Sequence, residues 1–239
     1  MNNYKIQIAT DKDDLALQAL KTIVKHIEIA LSKKERVQIA LSGGSTPSNV
    51  YKLLADQDVN WSKVDVFLGD ERWVDSSDSL SNALMLRETL LSKAPASQAC
   101  FYPIPTTQLT SPQKSAEAFY EILKEKCNGN PPVFDLMLLG LGEDGHTASL
   151  FPDSNSLSVL DKWTTVSRGK GQDRITLTAK VLSASSKVIF LVSGNTKQNA
   201  LKRLIDPDES PLRTPAKLVE SETEILVLAD KAASELILN

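Results

Sequence analysis

The chain has 239 residues, 41% hydrophobic and 24% charged, the balance of an ordinary globular protein long enough to bury a core without disulfide or metal staples. A net charge of −3 offers no positive field, so neither nucleic acid nor a membrane surface is expected as a partner, and an anionic ligand must be met by a few placed cations. Cys100 and Cys127 form no CxxC pair and read as reduced thiols, and with no signal-peptide pattern or long apolar run a cytoplasmic protein is expected.

Residues 4–9 alternate like a strand. Thr10 is predicted to cap the helix that follows, with Asp13 completing a box-like start. Leu15, Leu20, Ile23, Val24, Ile27 and Leu31 share one helical face, and His26 lies off that stripe as a solvated residue. A strand over 36–41 runs into Ser42-Gly43-Gly44-Ser45-Thr46-Pro47 and a helix through Leu54. The third strand, 64–68, ends in the turn-like Gly69-Asp70-Glu71-Arg72-Trp73. A helix over 79–91, an exposed or edge strand over 99–104 bounded by prolines, and a helix over 111–126 come next.

The apolar run 134–139 reads as a buried strand that turns through Gly140-Leu141-Gly142-Glu143-Asp144-Gly145-His146 into a short helical start. Beyond it, 154–162 is loop-like, and strands at 163–166 and 174–178 flank Ser167-Arg168-Gly169-Lys170-Gly171. A central strand at 188–192, a helix over 195–205, a last strand at 225–228 and a short helix complete the chain. Strands alternating with helices predict one α/β domain over 1–239: a mostly parallel, Rossmann-like sheet with helices on both faces.

Chemistry is expected beyond the carboxyl ends of those strands, where ligands bind in open α/β sheets. His146 is one of only two histidines and stands at such an end, suited to proton transfer near neutral pH. Gly43 and Gly44 let the backbone approach a ligand, Ser45 and Thr46 add hydroxyls, and Pro47 fits a first helical turn, a phosphate-binding pattern. It matches neither the Walker loop nor GxGxxG, so a nucleotide is not indicated, and an ordinary capped turn is the plainer alternative. Asp70 and Arg72 offer a carboxylate and a guanidinium at one strand end, or else a surface salt-bridge turn. Lys197 would sit in a first helical turn, where the helix dipole disfavours a cation unless an anion is bound. Arg168 and Arg174 are weaker candidates. No second His or Cys stands at ligand spacing for zinc, and Ser149 lacks the GxSxG elbow of a serine hydrolase.

Taken together, 41–47, 69–74, 140–152 and 193–197 resemble the family that joins glucosamine-6-phosphate deaminases with 6-phosphogluconolactonases. The deaminase branch carries a catalytic Glu five residues after the His; here that position is Phe151, which favours the lactonase branch. Glu71-Arg72-Trp73 also resembles the lactonase form rather than the deaminase Asp-Glu-Tyr. The resemblance implies hydrolysis of 6-phospho-D-glucono-1,5-lactone to 6-phosphogluconate, with no metal, no organic cofactor and a phosphosugar lactone as the small-molecule partner. Oligomeric state is left open, with a monomer as the default.

On that basis His146, Asp70 and Arg72 are the expected catalytic group. Gly43, Gly44, Ser45, Thr46, Lys197 and Arg168 are expected to hold the phosphate, and Gly142 and Gly145 to offer N–H groups to the oxyanion. The alternatives are a sugar-phosphate deaminase, a non-catalytic sugar-phosphate sensor and a broad esterase.

Overall fold

Apolar runs that tolerate burial on both faces dictate the main sheet. The computed structural model describes residues 3–238. In chain order its elements are Tyr4–Ala9 (β1), Lys12–Leu31 (α1), Val37–Leu41 (β2), Ser45–Leu54 (α2), Val64–Leu68 (β3), Asp70–Arg72 (β4), Asn82–Thr89 (α3), Cys100–Tyr102 (β5) and Pro112–Lys126 (α4). Leu136–Gly140 (β6), Thr164–Gly169 (β7), Gln172–Leu177 (β8), Ala179–Ser183 (α5), Val188–Val192 (β9), Gln198–Ile205 (α6), Ile225–Asp230 (β10) and Lys231–Leu238 (α7) follow. Every position of β2, β3, β9 and β10 is buried, which is why these segments are predominantly apolar, with β9 apolar throughout.

Seven strands form a parallel sheet in the order β1-β10-β9-β6-β2-β3-β5, flanked by helices, as expected for the α/β class. The proline-bounded β5 is an edge strand. From β2 the chain moves outward on one side to β3, then resumes at β6 on the other. The carboxyl ends of β2 and β6 therefore flank the point where the winding reverses, which is where such sheets open a crevice.

A second sheet was not foreseen. Residues 70–72 are not a turn but a strand, paired antiparallel to β8 in the order β4-β8-β7, with Asp70 opposite Thr176 and Arg72 opposite Arg174. Three polar residues carry no hydrophobic period, so this strand exists only through its distant partner. The β7–β8 strands also absorb most of the loop at 167–171, leaving Lys170 (φ 53°) and Gly171 (φ 80°) as a two-residue hairpin turn. Positive φ at both central positions is the geometry that matches strand twist.

Other local departures have simple causes. The α1 cap is Asp11, not Thr10: its side chain accepts from the N–H of Asp13 and Asp14, both at 2.9 Å. Thr10 instead donates its N–H to Asp14 Oδ2 at 2.8 Å. Leu15, Leu20, Ile23 and Ile27 are buried with Ala16 and Ala19, whereas Val24 and Leu31 are half-buried. His26 is half-buried rather than fully solvated, and that burial together with Lys187 and Lys25 lowers its pKa. No helix starts at His146, because Ala148 takes a left-handed φ of 46° and ends any right-handed turn. Among the described residues no helix is long and apolar enough to cross a membrane.

Candidate active site

A cavity of about 240 Å³ opens beyond β2, β6 and β9. The 42–47 loop, the turn after β6 and the segment carrying Ser193 and Lys197 all reach it. From the second sheet come Asp70, Arg72, Lys170 and Arg174, and from α3 comes Asn82. Six stretches scattered through the sequence thus meet at the winding reversal.

The loop after β2 is shaped for close approach. Gly44, at φ 115° and ψ 165°, precedes α2 and provides no side-chain cap. The first helical bond runs from Ser48 N–H to Gly44 O at 3.1 Å, so the N–H groups of Ser45 and Thr46 stand ahead of the ladder, as free donors at a helix start do. Gly43 is glycine because a Cβ there would lie 1.9 Å from Asn82 Oδ1. Asn82 in turn donates to Asp70 O at 2.9 Å, tying this loop to β4. Tyr51 OH pins the loop by donating to Ser42 O at 2.8 Å. The buried Ser42 hydroxyl and the Arg72 Nε, both on residues that line the cavity, have no hydrogen-bond partner among the described residues.

His146 projects from the turn after β6 with its side chain 16% exposed. Its Nδ1 lies 2.5 Å from Asp144 Oδ1, and its N–H donates to the same oxygen at 3.1 Å. Burial alone would raise the Asp144 carboxyl, but the hydrogen bonds and charge of His146, helped by Lys170, hold it at about 2. Gly142 is required by this pair: a Cβ at 142 would stand 2.0 Å from His146 Nδ1 and 2.6 Å from Asp144 Oδ1. The turn's own N–H groups are engaged, however. Gly142 N–H donates to His146 O at 2.8 Å and Gly145 N–H to Gly142 O at 2.9 Å, so neither is free for the oxyanion role expected of it. Gly145 (φ 94°) faces Thr214 instead of the cavity.

The Asp-Glu-Arg segment divides its labour. Asp70 is buried, accepts from Ser149 Oγ at 2.5 Å and lies 3.8 Å from Arg174 Nη1. Ser149 is itself fully buried, spent on Asp70 rather than presented as a nucleophile. Glu71 is fully buried, and its carboxylate accepts the N–H of Arg72, Asn82 and Ala83 at 2.8, 2.8 and 2.7 Å. Burial raises its pKa, while those backbone bonds pull the other way. It serves as an anionic cap on α3, fixing Asn82 and the backbone of Arg72. Arg72 Nη1 is anchored on Leu80 O at 2.5 Å.

The cations sort differently from expectation. Lys197, just ahead of α6, is lowered by burial and faces Glu143 at 3.9 Å. Arg168 stands outside the cavity: its side chain is 74% exposed and pairs with Asp173 at 3.4 Å. Lys170, two residues on at the hairpin tip, lines the cavity in its place. Arg174, from the paired strand, also lines it and is buried. Lys170, Asn82 and Asp144 were missed by sequence reasoning, and only Asp144, two residues before the histidine, carried a local signal.

The family model for glucosamine-6-phosphate isomerases/6-phosphogluconolactonase matches residues 10–228. The chain belongs to this family. It is 37% identical to the 6-phosphogluconolactonase of Synechocystis sp. over 234 residues, covering 97% of each chain. The 6-phosphogluconolactonase of Nostoc sp. is 36% identical over 95% of this chain and 96% of its own. The solved structure of the 6-phosphogluconolactonase from Trypanosoma brucei superposes with a TM-score of 0.87 at 28% identity, covering 98% of this chain and 99% of that one.

Proposed function

We infer that this family member is a 6-phosphogluconolactonase, a carboxylic ester hydrolase that opens 6-phospho-D-glucono-1,5-lactone to 6-phosphogluconate, the whole chain acting as one unit. The observation that carries the reading is His146, held through Nδ1 by Asp144, lining the same cavity as the uncapped start of α2. One end of the cavity suits proton transfer and the other a phosphate.

The phosphate would lie on the N–H groups ahead of α2, with Ser45 and Thr46 hydroxyls, Lys197 and Lys170 around it. Helix starts favour anions, and two converging amines supply the charge that the chain lacks overall. His146, its Nδ1 held by Asp144, would take a proton from water through Nε2. The water oxygen bonds to the lactone carbonyl carbon, the ring C–O bond breaks, and the imidazolium returns the proton to the leaving ring oxygen. Such help is typically worth about 10² to 10⁴-fold. Arg72, which lines the cavity with its Nη1 anchored on Leu80 O, would meet the developing negative charge. Asp70, oriented by Ser149 and Arg174, would accept a sugar hydroxyl.

Phe151 supports the lactonase over the deaminase reading, since it puts an apolar ring where proton movement on the sugar would need a carboxylate. The test compares 6-phosphogluconolactone with unphosphorylated gluconolactone, and monitors ammonia release from glucosamine 6-phosphate. Preference for the phosphorylated lactone without ammonia release is expected. Equal use of both lactones would remove the phosphate assignment, and ammonia release would restore the deaminase.

A further inference from the structure

Phe151 does not line the cavity, yet it touches the group on which the chemistry turns. It is 6% exposed, and its ring centroid lies 4.5 Å from that of His146 with the planes 37° apart. The Arg174 guanidinium carbon sits 5.3 Å from the same ring's centroid. The β7–β8 hairpin closes against it at Gly169, where a Cβ would stand 2.3 Å from Phe151 Cε2 and 2.6 Å from Cζ. Gly169 is not among the residues with positive φ, so its backbone does not demand glycine; the space taken by the ring does. Arg174 Nε donates to Gly169 O at 3.4 Å, which joins both contacts into one wall.

An imidazole bonded through a single nitrogen can still swing about that bond, because its terminal torsion is broad. Here Asp144 holds one edge of the ring and Phe151 closes a face. We propose that Phe151 is a positioning residue for His146, held in place by the hairpin through Gly169 and Arg174. The proposal rests on reading His146 as the proton-transfer group. Phe151 acts by fixing the direction of Nε2, not by touching substrate.

Two variants approach the wall from opposite partners. Phe151→Leu removes the aromatic face while staying apolar, and Gly169→Ala crowds the ring from the hairpin. Each is expected to lower kcat about tenfold with KM within about twofold, as a small displacement of a catalytic group does. Because a shorter side chain frees the space at 169, Gly169→Ala should add less than about twofold in a Phe151→Leu background. Thermal denaturation confirms that each protein is folded; Phe151→Met replaces the leucine variant if that one does not fold. Wild-type kcat in the folded variants, or a raised KM at unchanged kcat, overturns the proposal. His146→Ala is run beside them. If it keeps wild-type kcat, the His146 reading itself fails. If it is inactive while the wall variants turn over normally, only the positioning role fails.

Discussion

Gly142→Ala offers a quantitative probe of the proposed catalytic role of His146 and its partner Asp144. The new Cβ would stand 2.0 Å from His146 Nδ1, 2.2 Å from Cε1 and 2.6 Å from Asp144 Oδ1, whereas ordinary contact begins near 3.4 Å. The imidazole must therefore retreat by more than 1 Å, about the whole margin of its bond to Asp144. Gly142 is not among the residues with positive φ, so the backbone accepts alanine and the effect lies in the collision. Overpacking of this kind costs about 1–3 kcal/mol, which a domain stable by about 5–15 kcal/mol survives. A misplacement of about 1 Å can cost about 10²-fold in rate, so kcat is expected to fall about 10²-fold with KM changing less than about threefold. Gly69→Ala is the control, since its Cβ meets only Leu41 O at 3.9 Å. The assay generates the lactone in situ from glucose 6-phosphate with a dehydrogenase and follows its disappearance above the spontaneous rate. A folded Gly142→Ala protein with kcat within about twofold of wild type would refute the dependence on this geometry.

Further outcomes follow from the same site. Asp144→Asn should reduce kcat by about 10² to 10⁴-fold, because the amide no longer fixes the imidazole tautomer. The Asp144 carboxyl is held at about 2, below its ordinary 3.8, so its contribution to stability is present above about pH 3.8 and lost as pH falls through about 2. Melting curves of wild type and Asp144→Asn should therefore converge over that interval and differ above it. Lys197→Ala should raise KM for the phosphorylated lactone and weaken inhibition by inorganic phosphate, with kcat little changed. Lys170→Ala should raise KM more than Arg168→Ala, as only Lys170 faces the cavity. Glu71→Ala should lower the melting temperature, leaving the α3 N–H groups of Asn82 and Ala83 unmet at about 1–3 kcal/mol.

What could be read from the chain was local. The apolar strands, the glycine loop before α2 and the lone cavity histidine each carry their signal within a few residues. The antiparallel sheet was opaque because β4 has no pattern of its own and becomes a strand only against β8, about a hundred residues later. That pairing sets Arg174 beside Arg72 and Asp70. Hairpin geometry separates the expected Arg168 from Lys170. Arg168 pairs across from Asp173 on an exposed face, whereas Lys170 occupies a left-handed turn position that aims it differently. The glycines after β6 were recognised as a tight turn, but their N–H groups close the turn itself, a bookkeeping that spacing alone does not reveal.

The most direct measurement compares wild type with His146→Ala on lactone generated in situ, against spontaneous hydrolysis. Wild type should clear the lactone well above background, and folded His146→Ala should fall by at least about 10²-fold toward it. Wild-type turnover in His146→Ala, or no acceleration by the unaltered protein, would contradict the account.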